Sequence, residues 1–110
     1  MTTLLVLFRR PAGGADALAA FERAYAETHL PLIVQTPGLR ALRCRRVAEG
    51  LGVETDLVLV AEMDFDDRAA LDAGLASDPM RAAGRNLREI APGLATLLVT
   101  ESAADLLPDA

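Results

Sequence analysis

The segment ETDLVLVAEMDF, residues 54–65, restricts the folds open to this chain more than any other feature. Side chains of a β-strand alternate between its two faces. One face of this segment is wholly apolar and is formed by Leu57, Leu59, Ala61, Met63 and Phe65. The other mixes valine with acidic residues and is formed by Asp56, Val58, Val60, Glu62 and Asp64. The first face is predicted to pack on a core. The second face must contact solvent, a ligand or another protein surface.

Proline and glycine divide the chain into alternating strands and helices. Strands are predicted at residues 3–10, 39–47, 54–65 and 94–101. A first helix is predicted from residue 15 to about His29, because Pro31 disfavours helical geometry at Leu30. Further helices are predicted behind caps at Asp66 or Asp67 and at Asp78. The order βαββαβ is typical of an α+β, ferredoxin-like domain over residues 1–102, with a four-stranded antiparallel sheet and a tail at 103–110.

Helices in such a domain cover only one face of the sheet. Val58, Val60 and Leu98 make the other face too apolar to be left in water. We therefore expect a homodimer formed through the bare sheet faces. Such a dimer should bury roughly 1,500 Å² or more in total.

Composition excludes several classes of function. The net charge of −5 would repel a nucleic-acid backbone, so no nucleic-acid partner is expected. Lysine is absent, which rules out a Schiff base, and one histidine with one cysteine cannot form the usual zinc ligand sets within one chain. The acidic run DFDD at residues 64–67 is explained more simply as a strand end and a helix cap than as a magnesium or calcium site. We expect no metal and no cofactor.

The early apolar run LLVLF is followed at once by Arg9 and Arg10, the reverse of the order in a signal peptide, and it is too short to span a bilayer. The single cysteine, Cys44, excludes an intramolecular disulfide and fits a reducing compartment. Cys44 occupies an apolar position in the alternating pattern of its predicted strand, which is typical of a small buried hydrophobic residue rather than of a nucleophile. These features predict a cytoplasmic protein without membrane contact.

The only histidine and the only tyrosine, His29 and Tyr25, lie one helical turn apart. They continue the apolar stripe of Leu18 and Phe21 to the end of the first helix, where the edge of the sheet is expected. Imidazole titrates near neutrality, so His29 is the candidate catalytic residue, with Tyr25 orienting a ligand oxygen. The structural alternative is a helix end whose polar rings complete the core.

A second candidate group lies on the predicted bare face. Glu62 is placed mid-strand among valines, so its carboxylate needs a cation nearby. Arg43 or Arg45 can reach it across the predicted hairpin if Leu42 and Cys44 face the helices. These three charged residues are candidate ligand-binding residues, and the alternative is an ion pair inside a dimer.

Two stretches of the chain carry a resemblance to a known family. They are FERAYAETHLPLIVQTPGLR, with Tyr25, His29 and Pro31 in a Tyr-x-x-x-His-x-Pro pattern followed by Pro37-Gly38-Leu39, and AEMDFDD at residues 61–67. Together with the closing LATLLVTE they resemble the EthD family, small proteins named for a component of a bacterial ethyl tert-butyl ether degradation cluster. The resemblance covers residues 4–101.

The resemblance implies a dimeric α/β-barrel in which two ferredoxin-like protomers pack sheet to sheet, with His29 at the mouth of the cavity between the sheets. Related folds include isomerases, polyketide cyclases, monooxygenases and haem-dependent peroxidases, so the fold does not fix the reaction. The chain has no glycine-rich dinucleotide motif to support a reductase.

Two functions fit these observations. One is a cofactor-independent enzyme acting on a small, hydrophobic, oxygenated metabolite, with His29 moving a proton. The other is a non-catalytic dimer that binds such a ligand for a partner oxygenase. The sequence leaves open whether the protein is an enzyme.

Overall fold

The computed structural model describes residues Met1–Asp109, so the last residue of the predicted tail, Ala110, lies outside the described residues. The strands are β1 (Thr2–Arg9), β2 (Ala41–Arg46), β3 (Leu57–Phe65) and β4 (Ala95–Glu101). The helices are α1 (Gly14–Ala24), α2 (Leu30–Ile33), α3 (Arg68–Leu75) and α4 (Asp78–Ile90). A π-helical turn, Tyr25–His29, joins α1 to α2, and a 3₁₀ turn, Ala104–Leu106, follows β4.

The four strands form one antiparallel sheet in the order β2-β3-β1-β4. This arrangement confirms the predicted ferredoxin-like βαββαβ fold. The helices lie on one face of the sheet, and we call the other face the open face. The chain measures 44 × 40 × 18 Å, and its thin dimension matches one helix layer on one sheet. The barrel implied by the family resemblance is not closed within one chain.

The core lies between the sheet and the helices. On β1, Leu4, Val6 and Phe8 are buried and point toward the helices, and on β3 the predicted apolar face does the same. Phe8, Phe65 and Leu71 are the large apolar side chains with almost no exposure. The parity read from the sequence of β3 is therefore confirmed.

The first helix does not end at His29 as expected. The backbone stays helical through Leu30, which has φ −59° and ψ −37°, and continues to Ile33. In the π-helical turn the Leu30 N–H donates to the Tyr25 carbonyl, five residues back. Pro31 falls in the first turn of α2, where a missing N–H is tolerated, so the chain passes the proline without stopping.

Two other sequence-based expectations need correction. The cap of α4 is Ser77, whose hydroxyl accepts from the Met80 N–H at 3.4 Å, and Asp78 is already helical. The second correction concerns Val58, expected to be exposed without a partner, which is only 6% exposed in the single chain.

The cap of α3 is confirmed as Asp67, whose carboxylate accepts from the Ala70 N–H at 2.8 Å. Within the described residues, no helix is long and apolar enough to cross a membrane.

Candidate functional site

A cavity of about 140 Å³ lies between the helices and the sheet. The sheet contributes Leu4, Val6, Phe8, Met63 and Leu97 to its wall. The helical segments contribute His29, Ile33, Leu75, Met80, Ala83, Gly84 and Leu87. Among the described residues, His29 is the only titratable side chain in this lining.

The sequence of α4 explains the space. Its cavity-lining residues Met80, Ala83, Gly84 and Leu87 follow the spacing of one helix face. Two consecutive small residues in the middle of that face leave the volume unfilled. Apart from its chain neighbours and the adjacent backbone of α4, a Cβ atom built on Gly84 would have no described atom within 4 Å.

His29 is only 5% exposed and is tied to α4 through Asn86. Its Nδ1 lies 3.1 Å from the Asn86 Oδ1. The Asn86 Nδ2 donates to the Thr28 Oγ1 at 3.2 Å, and the Thr28 hydroxyl donates to the Ala24 carbonyl at 2.6 Å. Within residues Met1–Asp109, no protein group hydrogen-bonds the second ring nitrogen, Nε2.

Burial lowers the pKa of His29 below its ordinary value of 6.5, and the hydrogen bond with Asn86 opposes this shift more weakly. The ring is therefore neutral at physiological pH. A neutral imidazole carries one proton and one acceptor lone pair. His29 can thus accept a proton from a molecule that reaches its free nitrogen.

Tyr25 touches His29 but faces a different space. The two rings stack with centroids 5.3 Å apart, and Tyr25 also packs on Phe8 and Phe21. Its hydroxyl lies 3.9 Å from the Cys44 Sγ, in a second recess between α1 and β2. Burial is the main reason that the pKa of Tyr25 is raised. The two rings stack directly, yet each lines its own cavity.

Glu62, Arg43 and Arg45 lie on the open face, on the opposite side of the sheet from His29. Arg43 donates to the Glu62 Oε2 at 2.9 Å and to the Asp64 Oδ2 at 2.8 Å, which confirms an arginine–Glu62 contact across the hairpin. Arg45 stands opposite Val60 and forms no ion pair with a described residue. The five candidate site residues therefore do not converge on one cavity.

The reason for this separation is the orientation of α1. Its apolar stripe faces the sheet from the helix layer, so His29 enters the core and not the space that a second sheet would face. The expectation that His29 lies at the mouth of an inter-sheet cavity is wrong for this chain. His29 is also not at the end of the helical segment, which continues through α2.

The acidic run of residues 64–67 is occupied by protein partners. Asp64 accepts from Thr3 and Arg43, and these hydrogen bonds lower its pKa. Asp66 pairs with Arg40, and Asp67 caps α3. Among the described residues, no group of three or more His, Cys, Asp or Glu side chains is arranged to hold a metal ion.

Sequence reasoning missed Asn86 and Thr28. Asn86 is the only asparagine of the chain, and it is separated from His29 by 57 positions. Thr28 precedes His29 but belongs to the π-helical turn that was not expected. A lone asparagine beside the apolar stripe of α4 was the one available signal.

Solved structures similar to this chain show its family. An ethyl tert-butyl ether D (EthD) family protein from Bacillus halodurans has 30% identity and a TM-score of 0.83, with 93% of this chain and 98% of the other covered. This chain belongs to the EthD family.

More distant structures share the fold of this EthD chain. A dimeric protein of unknown function with a ferredoxin-like fold from Bacteroides fragilis has 17% identity and a TM-score of 0.67, covering 92% of this chain and 95% of its own. An antibiotic biosynthesis monooxygenase has 16% identity and a TM-score of 0.63, covering 94% and 99%. No protein-family model and no curated protein sequence matches the EthD chain.

Proposed function

We propose that this EthD protein binds a small, largely apolar, oxygenated molecule in the cavity between helices and sheet, and that His29 accepts a proton from it without a cofactor. One observation carries the proposal: His29 lines the cavity with only its Nδ1 hydrogen-bonded, so within residues 1–109 its Nε2 has no protein partner and is open to the cavity. A ligand hydroxyl in the cavity can donate to this nitrogen.

The rest of the cavity supports the same chemistry. Its lining apart from His29 consists of aliphatic, aromatic, methionine and glycine residues, so apolar contacts would supply most of the binding free energy. A neutral histidine in such a site is suited to general-base catalysis, which typically contributes about 10²- to 10⁴-fold.

The other predicted site residues take different roles in this proposal. Tyr25 holds the His29 ring by stacking, at a centroid distance of 5.3 Å. Glu62, Arg43 and Arg45 can bind a ligand only on the open face, in the space between two sheets of a dimer.

We also propose that a second copy covers the open face. Dimeric ferredoxin-like proteins are among the structures that share the fold. The Cα radius of gyration is 15.1 Å, compared with about 13 Å for a compact domain of this length, so the single chain is unusually flat. The single cysteine supports a reducing, cytoplasmic location.

The second candidate function is binding without turnover, in service of a partner oxygenase. The observation in its favour is that His29 is the only titratable group that residues 1–109 contribute to the cavity lining. A reaction that needs both an acid and a base would have to use His29 for both steps or take a proton from solvent.

Native mass spectrometry and a turnover screen of small phenols, lactones and enolisable ketones test the proposal. His29→Gln should lose turnover, while Cys44→Ala, which alters only the recess on the other side of Tyr25, should keep it. Turnover that survives His29→Gln would contradict the catalytic role. Ligand retention without turnover in the unaltered protein would favour the accessory role.

A further inference from the structure

Resting on the proposed function, we infer that Asn86 fixes His29 in the tautomer protonated on Nδ1, so that the cavity takes an uncharged ligand that donates a hydrogen bond. Phenols and enols are the chemical class that fits. Asn86 is a positioning residue in this account, because it acts on the ligand only through His29.

The direction of each hydrogen bond follows from the helix backbone. The Ala24 carbonyl can only accept, so the single hydroxyl proton of Thr28 is committed to it at 2.6 Å. A competing contact from the same hydroxyl to the Asn86 Oδ1 is much longer, at 3.5 Å. Thr28 must therefore accept from Asn86, which it does from Nδ2 at 3.2 Å.

This fixes the orientation of the amide and then of the ring. With Nδ2 turned toward Thr28, the Asn86 group facing His29 is the carbonyl oxygen, 3.1 Å from Nδ1. A carbonyl oxygen accepts, so Nδ1 carries the proton. The neutral ring is left with a lone pair on Nε2, the nitrogen for which the described residues offer no partner.

The residues that line the cavity restrict the class of ligand further. In the described part of the chain, the lining contains no arginine to pair with a carboxylate and no carboxylate to pair with an ammonium ion. A charged ligand would be buried without a counter-ion, which is costly. A ligand that only accepts hydrogen bonds would place its oxygen against the Nε2 lone pair.

Among the described residues, none of those that line the cavity carries a charge. The parts of β1, β3, β4, α2, α3 and α4 that line the cavity with His29 are uncharged. Tyr25 is a titratable group that stacks on the ring, and burial keeps it neutral. Cys44 lies behind Tyr25 and next to its hydroxyl.

The tautomer can be measured in the ligand-free protein. His29 is the only histidine, so the ring ¹⁵N signals of tag-free protein need no assignment by mutagenesis. We expect a protonated Nδ1 and a bare Nε2. Asn86→Ala should shift the population toward the other tautomer, whereas Asn86→Asp should keep the tautomer and raise the pKa of His29 by about one unit or more.

Two further variants complete this test. Thr28→Val removes the acceptor for the amide and should loosen the tautomer preference, which keeps the inference testable if Asn86→Ala does not fold. Arg85→Ala, at the exposed position next to Asn86, should change nothing. A wild-type ring protonated on Nε2, or a tautomer unchanged in both Asn86→Ala and Thr28→Val, would overturn the inference.

The ligand class is tested with phenol, anisole and benzoate as probes, followed by the same ring signals. Phenol should bind at least tenfold more tightly than the other two. Anisole or benzoate binding as well as phenol would overturn the ligand class. If none of the probes perturbs the ring while the tautomer is as expected, the proposed ligand cavity fails and the role of Asn86 stands.

Discussion

Replacing Gly84 with leucine should make the protein more stable and abolish ligand binding at the same time. Gly84 lies in the middle of α4 on the face that lines the cavity, and a Cβ atom there would meet no described atom within 4 Å outside its chain neighbours and the adjacent helix backbone. In a helix a long side chain points back toward the N-terminus, here toward Met80 at the cavity wall. The substitution therefore fills space that the ligand is proposed to occupy.

The magnitude follows from two contributions. Removing a glycine from a helix interior gains about 0.5–1 kcal/mol, which is the expected effect of Gly84→Ala. Each methylene transferred from water into the cavity adds about 0.8 kcal/mol, and a leucine brings three carbons beyond Cβ. Imperfect fit in a cavity of about 140 Å³ offsets part of that gain, so we expect about 2 kcal/mol for Gly84→Leu.

Thermal unfolding and phenol binding measure the two effects. The unfolding midpoint of Gly84→Leu should rise by roughly 8 °C, and phenol affinity should fall at least tenfold. The control is Gly74→Ala, where the new Cβ would lie 2.8 Å from the Cε1 of the fully buried Phe65, so it should destabilise by about 1–3 kcal/mol. Loss of stability in Gly84→Leu would show that the space is not a cavity, and unchanged phenol binding would place the ligand elsewhere.

Three further predictions concern pH and assembly. Because burial lowers the pKa of His29, the free energy of unfolding should fall as pH drops from about 6.5 through the lowered folded value, and His29→Gln should flatten the urea-unfolding profile there. Because the pKa of Asp64 is lowered, its ionised carboxylate stabilises the fold above about pH 4, and this stabilisation is lost in stronger acid. Arg43→Ala should therefore unfold at higher pH than the unaltered protein in an acid titration. Arg40→Ala, which breaks an exposed ion pair, is the control. Leu98→Glu on the open face should give a folded monomer by light scattering, whereas the same change at Leu97, on the opposite face of β4, should leave a dimer; a monomeric wild type would contradict the dimer.

The fold was predictable because strand parity and the prolines and glycines act locally. The alternation in β3 identified the core face, and Pro11, Gly13 and Gly14 mark the end of β1 without reference to the rest of the chain. Passage of the helix beyond Pro31 was not predictable in this way. It depends on a π-helical turn whose wider hydrogen bonding is fixed by packing rather than by residue type.

The site was only partly predictable for the same reason. The spacing of Tyr25 and His29 placed them on one helical face, and the structure stacks them. The contact between His29 and Asn86 depends on how α4 crosses the π-helical turn, which no local pattern encodes. The prediction of a single site also failed because Glu62 and Arg43 lie on the opposite face of the sheet from His29.

A crystal structure of the protein soaked with phenol tests the central claim most directly. We predict the phenol in the cavity between α4 and the sheet, with its oxygen about 2.6–3.2 Å from the Nε2 of His29 and with Nδ1 still bonded to Asn86. Phenol bound only on the open face beside Arg43 and Glu62, or a cavity left empty at saturating phenol, would contradict the account.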